Sequence, residues 1–371
     1  MNPISPSGSC GPCGAGGSNG VSLSDDLLTQ ILTRLPLKSL FRFNCVSKAW
    51  YGLISDNYLR TKLPLITSGV YYSYNSNLTR EPRYAHTSEN GLEDCNLDFF
   101  PFHHNSSIID SCNGLLLYYS CFPSKFHVVN PTAKRWVALP EPIRSSQLSI
   151  LTFDPCHSPN YKVICFTSWL EQGSEIEVFS SETGRWVEHE LHWGLSTDTM
   201  SATMQYFDGI LYIIAYPKHI VAINLAEMDC HLIELPEPMK REGSVGKSRG
   251  SLHYTHNDGE QIRIWKLKDF NLHKWVLKHR IDVRAIVERN YKRIHSNDSL
   301  AALSDQFNFL AFHPEKEVVY LSLPGKLVSY DLSKKRIEEV CEFGKERERA
   351  HLIQIWLFPF SRYMSDCLAN A

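Results

Sequence analysis

Residues 111–140 read SCNGLLLYYSCFPSKFHVVNPTAKRWVALP, and this stretch contains the pattern that decides the fold. Two short runs rich in Leu, Tyr, Phe and Val lie between turn residues, which is typical of β-strands. Asn113-Gly114 opens the first run, and an Asn-Gly pair supplies the positive φ that a tight turn requires. Asn130, a polar turn residue, is followed six positions later by Trp136. The stretch therefore predicts one unit of antiparallel β-sheet.

The same six-residue offset recurs along the chain. A polar residue precedes a large or apolar one at Ser180/Trp186, Asn224/Cys230, Asp269/Trp275 and Asp331/Ile337, and successive polar residues, counted from Asn130, are 50, 44, 45 and 62 positions apart. Gly also opens an apolar run at Asp208-Gly209 and at Arg249-Gly250. A period of about 45–50 residues with several strands in each unit is typical of propeller blades.

Five such units can be counted, and two weaker stretches supply one more. Residues 70–74 and 352–360 have strand character, and together they would complete a sixth blade and close the ring. The predicted fold class is mainly β with a small N-terminal α part: a β-propeller of about six blades. A sandwich of unrelated β-meanders is the alternative, although it gives no reason for the fixed offset. The longest interval contains a polar insertion at 288–299, which is predicted to be a loop.

The residues before the β part have a different pattern. Residues 1–20 are mostly Gly, Ser, Pro and Asn, which predicts a flexible tail. Leu27 and Ile31 recur at helical spacing, Ser24 suits a helix N-cap, and Pro36 should end that helix. Two further short helices are predicted, giving three in all. The predicted organisation is a tail at 1–20, a three-helix domain at 21–62, the propeller at 63–363 and a second tail at 364–371.

Residues 27–50, LLTQILTRLPLKSLFRFNCVSKAW, resemble an F-box. The likeness is to the plant-type subset, in which a Pro-x-Lys-Ser-Leu turn and a Val-Ser-Lys-x-Trp helix start recur. One departure is Leu23-Ser24, because F-boxes usually open with Leu-Pro. The β part resembles the plant F-box-associated domain, a kelch-like propeller. Four segments carry that resemblance: 111–115, 130–140, 153–163 and 181–186.

This resemblance implies an SCF-type cullin–RING ubiquitin ligase subunit that recognises substrates. The F-box would bind a Skp-family adaptor, and through it the cullin and RING subunits, while the propeller would bind a target protein. The resemblance implies no catalysis and no cofactor on this chain, and the expected location is cytoplasmic, nuclear or both.

The predicted helices contain more apolar residues than they can bury among themselves. An exposed apolar patch is typical of an interaction surface, and Trp is enriched at binding hot spots. Leu28 and Leu32 are expected to be internal. In the competing interpretation, the helices simply pack on the propeller. The predicted adaptor-binding residues are Leu23, Leu27, Ile31, Leu35, Pro36, Leu40, Cys45, Val46, Trp50, Leu53 and Ile54.

Within the propeller, Trp136, Trp186 and Trp275 occupy equivalent positions and are predicted to pack as core between blades. Target binding is expected on loops, although no specific substrate-binding residue can be named. The candidate loops are 145–147, 170–173, 194–199, 239–249 and 288–299. The fourth contains Lys240, Arg241, Lys247 and Arg249, which could recognise an acidic partner. The phosphate-loop-like run Gly243–Ser248 is rejected, because the first glycine of that motif would fall at Arg241 and a strand pattern follows where the motif requires a helix.

Composition restricts the remaining function classes. The 371 residues are 43% hydrophobic and 21% charged, and the net charge of -2 gives no reason to expect nucleic-acid binding. No apolar run approaches the ~18 residues of a membrane span, and no secretory signal is recognised. Eleven scattered cysteines favour a reducing compartment, and their spacing predicts no metal site.

Two other functions stay open from the sequence. A propeller can also be an enzyme or can bind a ligand such as a glycan, with the helices packed on it. That interpretation requires polar side chains that converge at the central channel, and residue spacing does not reveal them. An F-box protein that acts outside a ligase, as a scaffold or transcriptional cofactor, is the other alternative.

Overall fold

The protein is represented by a computed structural model with two compact units, residues Met1–Leu63 and Pro64–Ala371. The residues that the structure describes are 24–32, 34–35, 39, 43, 46, 48, 52, 67–74, 82–86, 96–121, 123–146, 148–239, 243–290, 307–323, 325–342, 355–361, 363 and 367–368.

The first unit contains helix α1, Asp25–Leu32. Ser24 caps it as predicted, since its Oγ accepts a hydrogen bond from the Leu27 N–H at 3.4 Å. Of the predicted second and third helices, only isolated residues such as Phe43 and Lys48 are described, and these are helical. The three-helix count therefore stays a prediction. No helix within the described ranges is long and apolar enough to cross a membrane.

The second unit is built almost entirely of β-strands. In chain order the strands are β1 Thr67–Tyr74, β2 Arg83–His86, β3 Ser106–Cys112, β4 Leu115–Cys121, β5 Ser124–Asn130, β6 Arg135–Ala138, β7 Leu148–Phe153, β8 Tyr161–Leu170, β9 Gly173–Ser180, β10 Arg185–His192, β11 Met200–Phe207, β12 Ile210–Ala215, β13 His219–Asn224, β14 Asp229–Glu234, β15 Gly243–Ser248, β16 Ser251–Asn257, β17 Gln261–Asp269, β18 Lys274–Asp282, β19 Asn308–Phe312, β20 Val318–Leu323, β21 Lys326–Asp331, β22 Arg336–Glu342 and β23 Ile355–Ser361.

These strands form six antiparallel sheets, which are the blades of a propeller. Blade 1 has the strand order β2-β1-β23, and blades 2 to 6 each consist of four consecutive strands beginning at β3, β7, β11, β15 and β19. The inner strands contact one another in a closed ring, β3, β7, β11, β15, β19, β23 and back to β3. The prediction of about six blades is thus confirmed.

Blade 1 closes the ring, as the strand character at the two ends of the β part predicted. Strand β1 pairs antiparallel with β23, with Val70 opposite Pro359 and Tyr71 opposite Phe358. The Glu315 carboxylate, from the turn between β19 and β20, accepts hydrogen bonds from the Thr67 N–H at 3.0 Å and from the Thr67 Oγ1 at 3.0 Å. This contact fastens blade 6 to the closing blade.

The six-residue offset corresponds to the turn between the third and fourth strands of a blade. In blade 2, Asn130 pairs with Arg135, and the Asn130 Oδ1 accepts a hydrogen bond from the Ala133 N–H at 3.1 Å. The residue that ends each such turn has positive φ, which lets the chain reverse within four residues. These residues are Lys134, Gly184, Met228, His273 and Lys335. The repeat detected in the sequence is therefore a repeated turn geometry.

The apolar cores lie between neighbouring blades. Leu117 and Val128 of blade 2, for example, pack with Leu151 and Val163 of blade 3. Each blade is thus apolar on both faces, which is why its strands are nearly continuous hydrophobic runs.

The three repeat tryptophans differ in burial. Trp186 and Trp275 bridge blades as predicted, because their indole N–H groups donate to the carbonyls of Pro140 at 2.9 Å and Glu234 at 2.8 Å in the preceding blades. Trp136 is 37% exposed, so its assignment to the core was wrong. It lies on the outermost strand of blade 2 with its ring 5.5 Å from that of Phe102.

One predicted loop is partly helical. Helix α2, Val283–Asn290, includes the start of the polar insertion predicted at 288–299. Ile286 and Val287 are buried in the core between blades 5 and 6, and this apolar pair was outside the polar segment that suggested a loop. The rest of that insertion lies outside the described residues.

A buried carboxylate holds the connection between blades 2 and 3. Glu177 on β9 is 1% exposed, and its two oxygens accept hydrogen bonds from the backbone N–H groups of Ile143 and Arg144, each at 2.8 Å. Arg144 also forms ion pairs with Glu175 and Glu188. Glu177 therefore satisfies two backbone donors that have no strand partner.

We expect Glu177→Gln to lower the free energy of unfolding by about 2 kcal/mol, because the amide places an N–H₂ group opposite one of the two donors. Urea denaturation measures this change. Glu182→Gln, at an exposed turn position, is the matched control and should stay within about 0.5 kcal/mol of the wild type. Equal effects of the two substitutions would contradict the role assigned to Glu177.

Candidate functional site

The first candidate surface is one face of α1. Leu27 and Ile31, four residues apart, lie on the same side of the helix and are 49% and 44% exposed. Leu32 is fully buried and Leu28 is half-buried, so the side predicted to be internal is the more buried one. Two large aliphatic side chains exposed side by side are suited to burial against a partner.

The other predicted adaptor-binding residues are only partly described. Leu35 is half-buried, and Val46 is 61% exposed. The adaptor surface as a whole stays a prediction. The remaining predicted positions lie outside the described residues: Leu23, Pro36, Leu40, Cys45, Trp50, Leu53 and Ile54.

The second candidate is the cavity at the centre of the propeller. Its volume is about 370 Å³, within the range of small-molecule sites, and all six inner strands line it. Strands β19 and β23 supply a largely apolar wall that includes Leu310, Phe312 and Phe358. Blades 2 to 5 supply the charged side chains, with Asp110 and Lys247 on strands and Asp154 and Asp208 just after them. The cavity thus has one apolar side and one charged side.

Asp110 joins the adjacent inner strands of blades 2 and 3 in the wall of this cavity. Its Oδ2 accepts a hydrogen bond from the Leu151 N–H of β7 at 2.7 Å, and its Oδ1 accepts one from the Ser111 N–H at 2.8 Å. It adjoins a register shift in the pairing of β3 with β4. Burial raises the pKa of Asp110 to about 7, and the two N–H donors offset part of that increase.

This pKa predicts a pH-dependent stability. Between the ordinary carboxyl pKa of 3.8 and the folded value of about 7, the folded protein keeps a proton that the unfolded chain releases. Stability should therefore fall as the pH rises through this window and level off above it. Asp110→Asn, which cannot ionise, should flatten this part of the pH profile of the urea midpoint.

Asp208→Asn is the control for that measurement, since it removes an exposed carboxylate from the same cavity. Its pH profile should retain the wild-type slope. A profile of Asp110→Asn with the full wild-type slope would show that another group is responsible.

The prediction of a basic loop at 239–249 was wrong. Residues Gly243–Ser248 form the inner strand β15, so the run that resembles a phosphate loop is a strand. Lys247 lines the cavity with its Nζ 4.9 Å from the centroid of the Phe207 ring, whereas Arg249 pairs with Glu317 at 2.6 Å. Lys240 and Arg241 lie outside the described residues.

Packing between blades explains why β15 contains a glycine at position 246. A Cβ added to Gly246 would lie 2.4 Å from the ring of Phe312 on β19, so only glycine permits this contact between blades 5 and 6. Strand β15 therefore has the Gly- and Ser-rich composition that is usual in a loop.

Sequence reasoning missed Asp110 and Lys247 as neighbours in one cavity. They come from blades 2 and 5, and only closure of the ring brings them together. Across the described ranges, no three His, Cys, Asp or Glu side chains are grouped so that they could hold a metal ion. The cavity offers both charge signs and an apolar wall.

Comparisons with known proteins match both units. A family model described as F-box protein At3g26010-like, beta-propeller, matches residues 95–364, and an F-box domain model matches residues 21–62. F-box protein At5g07610 of Arabidopsis thaliana is 25% identical over 367 residues, which cover 86% of this chain and 85% of that protein. Putative F-box protein At1g47790 of the same plant is 28% identical over 284 residues, or 68% and 70% of the two chains.

Among solved structures, a chain in the crystal structure of a nidogen/laminin complex aligns with a TM-score of 0.46 and 9% identity. The alignment covers 80% of this chain and 99% of that chain. At that TM-score the likeness supports no conclusion about function.

Proposed function

Because the chain belongs to the family of F-box proteins with an At3g26010-like β-propeller, we propose that it is the substrate-recognition subunit of an SCF-type cullin–RING ubiquitin ligase. F-box domains generally bind Skp-family adaptors. In this proposal residues 21–62 bind the adaptor, which connects the chain to the cullin and RING subunits, and the propeller holds a target protein. The kelch-like character of the propeller stays a prediction, because the matching family is described only as a β-propeller.

The observation that carries this proposal is the joining of an F-box match to a propeller match in one chain. The exposed pair Leu27 and Ile31 supports it, since α1 leaves aliphatic surface for a partner. The chain would bring a target to the ligase without catalysing a reaction itself. We place this activity in the cytosol, the nucleus or both.

A binding assay with a purified Skp-family adaptor tests the proposal. The full chain should be retained on immobilised adaptor, and a chain shortened to residues 64–371 should not, because it lacks the first compact unit. Near-UV circular dichroism of the shortened chain checks that its propeller is folded. Failure of the full chain to bind, or equal binding by both chains, would contradict the assignment of the adaptor site to residues 21–62.

The central cavity favours one alternative, a propeller that binds a small ligand. Its size, its apolar wall and the charged side chains of Asp208 and Lys247 suit a small amphipathic molecule. Thermal-shift screening with glycans and small charged ligands tests this function. Stabilisation that is lost in Lys247→Met would favour it, and the absence of any stabilising ligand would argue against it.

A further inference from the structure

Blade 5 has a different charge from its neighbours. Residues 243–282 contain eight Lys or Arg and four Asp or Glu, a net charge of +4. Residues 200–234 of blade 4 contain one Lys and four acidic residues, a net charge of -3, and residues 308–342 of blade 6 have five basic and six acidic residues, a net charge of -1. The positive charge of blade 5 therefore contrasts with the negative charge of both neighbouring blades, in a chain whose total charge is -2.

Much of this charge lies on the two outer strands of blade 5. Lys266 on β17 pairs with Val276 on β18, and Lys274 lies two residues before Val276, so both lysines lie on one side of the sheet. The pairing skips Lys278 and Lys268, which occupy the bulged positions at the two register shifts. Bulges re-aim side chains, and here both bulged residues are lysines.

These lysines form no ion pair in the described part of the chain, although Asp269 lies opposite Lys274 in the pairing of β17 with β18. Among the described residues, Lys266, Lys274 and Lys278 form neither an ion pair nor a side-chain hydrogen bond, in contrast to Arg263, which binds Glu237 at 3.1 Å and Asp258 at 2.8 Å. Lys274 and Lys278 are exposed. We call Lys266, Lys274 and Lys278 the basic face of blade 5.

Two histidines lie beside the basic face and add no charge to it. Burial lowers the pKa of His253, and the ammonium of Lys266 lowers it further. Burial also lowers the pKa of His279, with a smaller contribution from Lys278. The nearby carboxylate, Glu317, already accepts from Arg249 at 2.6 Å and from Ser333. The positive charge of this cluster therefore comes from the lysines and not from the histidines.

The geometry of the blade selects the shape of an anionic partner. Strand β18 is the last strand of its sheet, so its outer edge pairs with no other strand in the described part of the chain. An extended peptide can follow such an edge and place every second side chain on the same side. A long polyanion or an anionic membrane would extend over blades 4 and 6, whose net charge is negative.

We propose that the basic face of blade 5 binds an acidic, extended segment of a target protein. The inference rests on the proposed function, because it specifies the class of target that the propeller recognises. Carboxylates of the segment would lie against Lys266, Lys274 and Lys278. Leu272, 74% exposed in the adjoining turn, offers an apolar contact at one end of the segment.

Fluorescence anisotropy with the full chain tests this proposal. The ligand is a fluorescein-labelled peptide of alternating Glu and Thr, at about 50 mM salt, where surface charges are weakly screened. Wild-type protein should bind, and Lys274→Glu with Lys278→Glu should weaken binding by at least about tenfold. The milder pair Lys274→Gln and Lys278→Gln should have a smaller effect in the same direction.

Lys134→Glu with Lys335→Glu is the matched control. It changes the net charge equally at two exposed turn lysines of blades 2 and 6, which also form no ion pair within the described residues. Its affinity should stay within about twofold of the wild type. Equal weakening by both double variants would overturn the proposal, since only bulk charge would then matter.

The remaining outcomes separate this inference from the function on which it rests. Adaptor binding without peptide binding would overturn the basic face alone. Binding of a single-stranded oligonucleotide or of phosphatidylserine vesicles through Lys274 and Lys278, with no peptide binding, would also overturn it. Peptide binding by a chain that does not bind the adaptor would support the basic face and contradict the ligase function.

Discussion

The double substitution Leu27→Asp with Ile31→Asp should eliminate binding of the Skp-family adaptor. The two side chains are 49% and 44% exposed on one face of α1, so a bound adaptor would bury aliphatic surface there. Two hot-spot side chains of about 2 kcal/mol each correspond to roughly a thousandfold loss of affinity, and the buried charges would add to it. Isothermal titration of the full chain with adaptor measures the change.

The control for this experiment keeps the surface apolar. Leu27→Met with Ile31→Leu should bind within about tenfold of the wild type, because similar hydrophobic volume is retained. Both double variants should keep the urea midpoint of the propeller, which belongs to the other compact unit. An unchanged affinity of the aspartate variant would show that this face of α1 does not contact the adaptor.

The second large effect is expected from Gly114→Ala, which should lower the free energy of unfolding by about 3–5 kcal/mol. Gly114 has a φ of 95°, and a Cβ there would lie 2.6 Å from the Ser361 carbonyl oxygen and 2.8 Å from the Tyr363 nitrogen. These atoms are backbone and cannot rotate away as a side chain would. The substitution therefore forces the turn of blade 2 away from the closing strand β23.

Gly209→Ala is the control, since Gly209 occupies the equivalent turn of blade 4. Its φ is 80°, but a Cβ there would meet no atom within 4 Å. It should cost only the strain of the left-handed conformation, about 1 kcal/mol. The difference between the two substitutions in urea denaturation isolates the contact between blades 1 and 2, and equal losses would show that this contact contributes nothing to stability.

The propeller was predictable because the feature that repeats is a turn formed by residues close together in the sequence. Asn130 and Asp269 each open a four-residue turn with their own side chain, so the signal needs only neighbouring residues. Ring closure was also predictable, since the stretch that became β23 has strand character without a partner nearby in the sequence. Pairing with β1 supplied that partner.

The functional regions were harder to predict for a physical reason. Asp110 and Lys247 line one cavity only because six inner strands converge, and no spacing in the sequence encodes that arrangement. Lys247 was assigned to a loop because Gly and Ser surround it, although Gly246 is required by contact with Phe312. The prediction of the adaptor surface rested on the excess of apolar residues in the predicted helices and on the family resemblance. Most of the residues in that surface lie outside the described residues.

Ring closure also sets an order of events during synthesis. Strand β1 contains buried residues such as Val70 and Tyr71, but its partner β23 is translated almost 300 residues later, since the Thr67–Ser361 hydrogen bond spans 294 positions. At a translation rate of roughly 5–20 residues per second, this edge of β1 stays unpaired for tens of seconds during synthesis. A chain truncated before Ile355 never covers that edge, and it should be a preferred client of chaperones and proteases.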